Sequence, residues 1–407
     1  MERGVLVIGA GIAGMTAAVK LADNGLPVYL VERENSIGGW ASSFCCKATD
    51  LCTRCSICAV EERIEEVMAH PRISILTNTT VEEVKGDLGE FDVELLHLPP
   101  HIDPERCVAC GICADVCPVK AIRPPSPEIF PYTYLLDGTR CLRLKGGECD
   151  LCLKACPVNA INFDLKPEGK RLRVGTIILA TGFDPFDARE LGGLGYGGYE
   201  NVFTGLDLER AFNKGDIERL ISLNSIAFIQ CVGSRNVEHG YCSQVCCKYA
   251  IRFALLIKYH NPSASVTVFY IDLQNSGKGF ARFYKESRDK IRFVRGVPAE
   301  VVEGPSGKLE VRFEEIPKGV VKRELFDAIV LSIGMLPRRD SWDLASKLGI
   351  SPDEYGFFDT LNSNETNVEG IFVAGACGGP KDIPDSIAHA TAAAEKAMEV
   401  LMRCQGK

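Results

Sequence analysis

No run in this 407-residue sequence reaches the ~20 consecutive apolar residues that a membrane-spanning helix needs, although 46% of it is hydrophobic. Any membrane association is therefore expected through partner proteins. An excess of positive charge is missing too, and a net charge of -8 argues against nucleic acid as a partner. A convincing secretory leader is absent: Met1-Glu2-Arg3 and the apolar residues after them imitate one, but Asp23 and Asn24 stand where a cleavage region belongs. Cysteine, by contrast, is plentiful, at 19 residues. With no leader to an oxidising compartment, so many cysteines point to metal or redox chemistry in the cytoplasm rather than to a disulfide framework. The length accommodates two or three domains.

The N-terminal stretch organises the chain. Residues 5–8 form an apolar run of strand length, and Gly9-Ala10-Gly11-Ile12-Ala13-Gly14 supplies G-x-G-x-x-G where that strand turns into a helix over about 12–24. Gly9 serves the tight turn, Gly11 the approach of backbone to a pyrophosphate, and Gly14 the close packing of helix on strand. The diphosphate then rests on the helix N-terminus. Residues 28–31 form the second strand, and Glu32 at its end is placed to accept the ribose hydroxyls of an adenosine half.

Three later segments support this site: Gly38-Gly39, Ala180-Thr181-Gly182 after an apolar strand at 175–179, and residues 366–377. Together they resemble the FAD domain of the two-dinucleotide flavoproteins, the thioredoxin reductase group. The resemblance favours FAD over NAD here, held by Gly9, Gly11, Gly14, Glu32, Arg33, Gly39, Trp40, Ala180, Thr181, Gly182, Gly375, Ala376, Cys377, Lys381, Asp382, Ile383 and Ser386. The acid expected beyond the last strand is replaced by Ala376-Cys377, with Cys377 read as a packing residue. A helix follows over 387–402, with Asp385 or Ser386 as its cap.

Sixteen of the 19 cysteines fall into four groups of four, with Cys377, Cys404 and one of Cys45 or Cys46 left over. Cys107, Cys110, Cys113 and Cys117-Pro118 reproduce the bacterial ferredoxin run C-x2-C-x2-C-x3-C-P, and Cys141, Cys149, Cys152 and Cys156-Pro157 repeat it with a widened first gap. In two-cluster ferredoxins the fourth cysteine serves the other cluster, which assigns Cys107, Cys110, Cys113 and Cys156 to one [4Fe-4S] centre and Cys141, Cys149, Cys152 and Cys117 to the other. Zinc is disfavoured because the Cys-Pro endings have no role in its sites. Cys52, Cys55 and Cys58, with Cys46 or with Cys45 in its place, form a third set on the loop leaving the flavin half-site.

The fourth set stands where a phosphate cradle is missing. The strand at 225–230 should open a second nucleotide-binding-like domain, with further strands at 266–271 and 328–333. Its turn reads Cys231-Val232-Gly233-Ser234-Arg235 rather than glycine-rich, and Cys242, Cys246 and Cys247 follow, the last two opening a helix over 246–259. Four cysteines at one strand end indicate a cluster where nicotinamide dinucleotide would otherwise bind, buried structural cysteines being the plainer alternative.

The segments 231–235, 242–250, and 375–377 with 379–386 resemble the flavoprotein component of heterodisulfide reductase, its A chain type, along nearly the whole sequence. That resemblance implies an α/β fold: a thioredoxin-reductase-like two-dinucleotide-binding flavoprotein core with an inserted α+β bacterial-type ferredoxin domain. The expected division is FAD-binding domain at 1–98, 166–202 and 338–407, ferredoxin insert at 99–165, and cluster-bearing NAD-binding-like domain at 203–337. It implies FAD and four [4Fe-4S] clusters, and a role as electron-transfer subunit in a cytoplasmic, anaerobic oxidoreductase complex of several subunits. The partners implied are other redox subunits of a heterodisulfide-reductase-like complex and a ferredoxin or hydrogenase-type donor. The chain reads as a short form, similar to the A-type subunits of quinone-interacting oxidoreductase, sulfur-oxidising and class II benzoyl-CoA reductase complexes. Bifurcating members place a lysine by the flavin after the double cysteine, where Lys248 and Arg252 are the nearest candidates. Competing readings are an NAD(P)H-oxidising flavoprotein resembling the glutamate synthase small subunit, a stand-alone disulfide reductase using Cys45 and Cys46, and a non-catalytic iron-sulfur scaffold.

Overall fold

A computed structural model describes residues 4–98, 100–124, 133–138, 140–274 and 277–405. The charged residues 1–3 and Pro99, the expected start of the insert, lie outside them.

Two sheets of seven strands form two lobes. In the first, Gly4–Ile8 is buried at every position, the pattern of a central parallel strand covered on both faces. It pairs in parallel with Val28–Val31 on one side and Glu168–Leu179 on the other, and Ile73–Leu76 extends the parallel edge. The helix Ile12–Asp23 covers one face, and the long helix Ile383–Gln405 packs on it through Ala390, Ala393, Ala394 and Ala397, all fully buried. Alanines let the two backbones approach closely, so the core gains contact area with little side-chain entropy to lose.

Several boundaries differ from the sequence expectation. The strand expected at 175–179 begins at Glu168, because its exposed first half pairs antiparallel with Phe91–His97, an arrangement in which one face meets water. The C-terminal helix starts at Ile383, which places Asp385 and Ser386 inside its first turn. Asp382 does the capping instead, its Oδ1 accepting the Asp385 amide at 3.0 Å.

The cysteine-rich segment leaves and re-enters the first lobe through the hydrogen-bonded neighbours Phe91–His97 and Glu168–Leu179. An insertion at the open end of a strand pair leaves the ladder intact. Inside it, the helices Ile112–Asp115 and Leu151–Ala155, the pair Ile122–Arg123 with Leu135–Leu136, and a bridge between Ile102 and Ile161 surround a small core. That core is Ile102, Ala121, Ile122 and Ile161 together with Cys113, Cys117, Cys141 and Cys152.

The second sheet runs Val202–Thr204, Ala328–Ile333, Ser225–Val232, Ser265–Tyr270 and Arg292–Glu303 in parallel, then Leu309–Glu315 and Val320–Phe326 as an antiparallel meander. The helix Gly205–Lys214 is held by a capping box between Thr204 and Asp207, and Cys246–His260 packs on the sheet face. The crossings between the lobes pair with each other as Asp184–Pro185 and Met335–Leu336. Among the described residues no helix is long and apolar enough to cross a membrane.

Candidate functional site

A cavity of about 790 Å³ opens between the lobes at the end of Gly4–Ile8, within the size range of cofactor sites. The three glycines do different work there. A Cβ on Gly9, whose φ is +103°, would lie 2.4 Å from the Ala180 carbonyl oxygen, and one on Gly14 would lie 1.8 Å from that of Gly9. A Cβ on Gly11 would meet nothing within 4 Å, so this is the one whose bare backbone faces the cavity. Thr181 lines the same wall, and its buried hydroxyl has no partner among the described residues.

Glu32 is fastened at the strand end, its carboxylate accepting the Ala10 amide at 2.7 Å and the Glu34 amide at 2.9 Å. Burial raises its pKa and the two amides oppose the rise. Arg33 lines the cavity but is paired to Asp340. Gly39 lies against Gly11, where a Cβ would stand 3.1 Å from the Gly11 Cα, and Trp40 donates from Nε1 to the Phe183 carbonyl at 3.1 Å. Ala180, Gly182, Ala376, Lys381, Asp382, Ile383 and Ser386 also line the space.

Three expected site residues stand behind the wall. Gly14 is packed against Gly9; Gly375, at φ +74°, would collide with Ala13 if it bore a Cβ; and Cys377 is buried, its Sγ 3.2 Å from the Leu179 and Ala374 carbonyls. Their contribution is close packing. Lys381 donates to the Gly378 and Gly379 carbonyls at 3.3 Å, and burial lowers its pKa. Lys248 lines the cavity in an ion pair with Asp382 at 3.3 Å. Arg252 holds the first cysteine loop, donating to the Thr53 and Arg54 carbonyls at 3.2 and 2.8 Å.

Among the described residues no three or more His, Cys, Asp or Glu side chains are drawn together as a single-ion site; the cysteines are gathered in looser sets. Burial pushes the Cys113 thiol up to about 11, and the nearby sulfurs of Cys107, Cys110 and Cys156 add to the rise. Cys152 is raised by burial too, with Cys141 and Cys149 close by, and Cys117 shares their core. In the second lobe burial pushes Cys231 up to about 11 and Cys246 well up, with Cys242 and Cys247 adjoining both. Thiols crowded in this way resist ionising alone, whereas a coordinating metal deprotonates them outright.

Backbone donors already point at the sulfurs. The amides of Arg54, Ala121, Ala160 and Gln244 lie 3.4, 3.2, 3.3 and 3.3 Å from the Sγ atoms of Cys52, Cys117, Cys156 and Cys242. Ten described non-glycine residues have positive φ, and eight of them, Arg54, Ser56, Ala109, Lys120, Asn159, Cys231, Arg235 and Gln244, are or lie within four positions of a cysteine of the four groups. Such conformations cost about 1–3 kcal/mol each and concentrate where a loop must wrap something specific.

Cys45 and Cys46 part company. Cys46 is exposed, as are Cys52 and Cys58, while Cys45 is buried among the second lobe's apolar residues and its thiol is raised by burial and by Glu209. Beside it lies a feature with no local sequence signal: Lys47 Nζ and Glu209 form an ion pair at 2.6 Å, 5% and 2% exposed, joining the cysteine loop to the second lobe. Arg338, likewise unforeseen, lines the cavity with one terminal nitrogen unpartnered among the described residues. It stands just after the short strand Met335–Leu336.

At the second lobe's strand end the turn is closed. A Cβ on Gly233 would lie 2.1 Å from the Phe186 ring, and Arg235 is held by Asp272 through both terminal nitrogens, at 2.5 and 3.0 Å.

Comparisons with known proteins agree with this architecture. Residues 7–52 match the NAD(P)-binding Rossmann-like domain and residues 100–123 the 4Fe-4S binding domain. The chain is 39% identical to the iron-sulfur A-type subunit of CoB–CoM heterodisulfide reductase from Methanocaldococcus jannaschii, covering 97% of this chain and 64% of that one. It is 39% identical to the A-type subunit of the H(2):CoB-CoM heterodisulfide,ferredoxin reductase from Methanothermobacter marburgensis, covering 96% and 63%. The chain thus spans a little under two thirds of these curated relatives. Among solved structures it is similar to the thioredoxin reductase of Lactococcus lactis (TM-score 0.55, 19% identity, 98% of this chain and 99% of that one) and to that of T. acidophilum (0.53, 16%, 100% and 99%). The fold is that of a thioredoxin-reductase-like α/β core carrying a ferredoxin-type insert.

Proposed function

Over nearly its whole length the chain is like the A-type subunit of heterodisulfide reductase, and from that premise we propose that it is an FAD and iron-sulfur electron-transfer subunit of an anaerobic oxidoreductase complex. One observation carries the reading. The cavity beside Gly11 and Thr181 is also walled by Cys55 from the first cysteine loop and Cys246 from the second lobe. A bound flavin would supply the exchange between two-electron and one-electron chemistry, and each cluster a one-electron carrier.

The protein's part is positioning and tuning. Gly11 admits the diphosphate, Glu32 and the unpaired donors of Thr181 and Arg338 orient the rest, and the N-terminus of Ile383–Gln405 with Lys381 favours negative charge beside it. Four [4Fe-4S] sites are assigned: Cys107, Cys110, Cys113 and Cys156; Cys141, Cys149, Cys152 and Cys117; Cys231, Cys242, Cys246 and Cys247; and Cys52, Cys55 and Cys58 with the exposed Cys46 rather than buried Cys45. The division into FAD-binding, ferredoxin-insert and cluster-bearing domains follows the boundaries given above. Partners are the other redox subunits of a heterodisulfide-reductase-like complex in the cytoplasm, with electrons entering from a ferredoxin or hydrogenase-type donor. Direct reduction by NADH or NADPH is not expected, because the turn at Gly233 is filled by Phe186 and Arg235 is occupied by Asp272.

Anaerobic purification followed by flavin and iron assay tests this reading: one FAD and about sixteen irons are expected from four cysteines per cubane. About eight irons would leave only the insert's pair. Bleaching of the flavin within seconds by NADH in an anaerobic stopped-flow experiment would replace the reading with that of a nicotinamide-oxidising flavoprotein.

A further inference from the structure

Two buried polar side chains in the second lobe have no bonding partner among the described residues. Gln230, 7% exposed on Ser225–Val232, has neither its amide nitrogen nor its oxygen satisfied, and Ser332, 1% exposed on Ala328–Ile333, has a free hydroxyl. A buried donor left without an acceptor carries its full desolvation penalty, so a native fold keeps such groups where a partner is present in the working protein.

Their place in the sheet says which partner. Side chains alternate along a strand, and Ile226, Phe228 and Val330 all pack in the cluster formed with the helix Cys246–His260. Gln230 and Ser332 each continue that face by one step on adjacent strands, just beyond the pairs Phe228 with Val330 and Ile229 with Leu331, where the register shifts before Val232. The covering helix begins at that end of the strands. Cys246 Sγ lies 3.9 Å from the Ile333 carbonyl oxygen and Cys247 Sγ 3.9 Å from that of Asp272, while Cys231 follows Gln230 directly. The orphaned groups therefore sit in the floor under the four cysteines of this lobe.

We propose that Gln230 and Ser332 donate N–H and O–H hydrogen bonds to the sulfurs of the cluster held by Cys231, Cys242, Cys246 and Cys247, and by doing so set its reduction potential. The inference rests on the assignment of those four cysteines as ligands. No covalent bond changes: the cluster gains one electron, and donors aimed at its sulfurs favour the more negative, reduced form. They are positioning and tuning residues. Removing them should make the cluster harder to reduce and leave the other centres as they were.

The test is a potentiometric titration of the anaerobically purified full chain, followed by electron paramagnetic resonance, in wild type, Gln230→Met and Ser332→Ala, with iron content and thermal midpoint measured alongside. Gln230→Met should keep its iron and lower one cluster's potential by about 59 mV, a ten-fold change in a one-electron equilibrium. Ser332→Ala should shift the same signal by a smaller amount, and Ser332→Thr, which keeps the hydroxyl, should restore it. Unchanged potentials at full iron content would overturn the proposal, as would loss of about four irons in both variants, which would make the two groups supports for cluster assembly. If Cys247→Ala, which leaves no coordinating atom at that position, has the same iron content as wild type, no cluster is held there, and the ligand assignment falls together with the tuning role.

Discussion

The strands Gly4–Ile8 and Ser225–Val232 occupy equivalent places in the parallel parts of two sheets, yet the turns at their ends differ. After the first strand the turn is bare at Gly11, and the helix that follows starts at Ile12, which with Ala13 lines the cavity. After the second, Gly233 is pressed on the Phe186 ring, Arg235 is tied to Asp272, and the helix opens with Cys246 and Cys247. A shared scaffold therefore leaves the choice of ligand to a handful of turn residues. A phosphate requires several oriented backbone donors and empty space, whereas a cluster requires thiolates on a strained loop.

The largest effect should come from cutting the tie between the two regions. Glu209→Ala leaves Lys47 buried without a counter-charge, with its Nζ over the Phe253 ring at 4.9 Å. Chemical denaturation should register a loss of about 3–5 kcal/mol, and the double variant Lys47→Met/Glu209→Leu should recover most of it. Next in size is Gly14→Ala, which drives a methyl into the Gly9 carbonyl. We expect about 1–3 kcal/mol of destabilisation from overpacking, and purified protein without yellow flavin absorbance.

Gly11→Ala separates space from strain. Its methyl meets no protein atom, so the melting of flavin-free protein should stay within about 0.5 kcal/mol of wild type. Flavin affinity should nonetheless fall ten-fold or more by fluorescence titration, because the methyl occupies the diphosphate's place. The smallest effect belongs to Asp272→Asn. The Asp272 side chain is 39% exposed, and solvent screening limits such a pair to about 1 kcal/mol or less. Even with Arg235 released, NADH should leave the flavin oxidised, since Phe186 still fills the turn. Rapid bleaching in that variant would mean that the ion pair alone had closed the second site.

Much of this division is legible in the residues themselves. The spacing of Gly9, Gly11 and Gly14, the Cys-Pro endings at 117 and 156, and the missing glycines after residue 230 are local patterns whose chemistry depends on a few neighbours in the chain. The capping of the C-terminal helix is not, because Asp382, Asp385 and Ser386 are all acceptable caps, and only the path of the chain selects Asp382. The antiparallel half of Glu168–Leu179 is hidden because its exposed, charged residues carry no apolar signal.

What remained for the tertiary structure concerns residues far apart in sequence. Cys45 and Cys46 are indistinguishable as neighbours, but folding buries one against Glu209 and leaves the other in solvent. Arg235 and Lys47 carry no local sign of their partners: the sheet brings Asp272 to the first, and Glu209 reaches the second from the other lobe. Sequence by itself determined which chemistry each turn could support, because turn geometry and ligand type are set by the residues in the turn. Register and lobe packing decided which of those groups would be paired, buried or left open to a cofactor, because a charge or thiol takes its properties from whatever the folded chain places beside it.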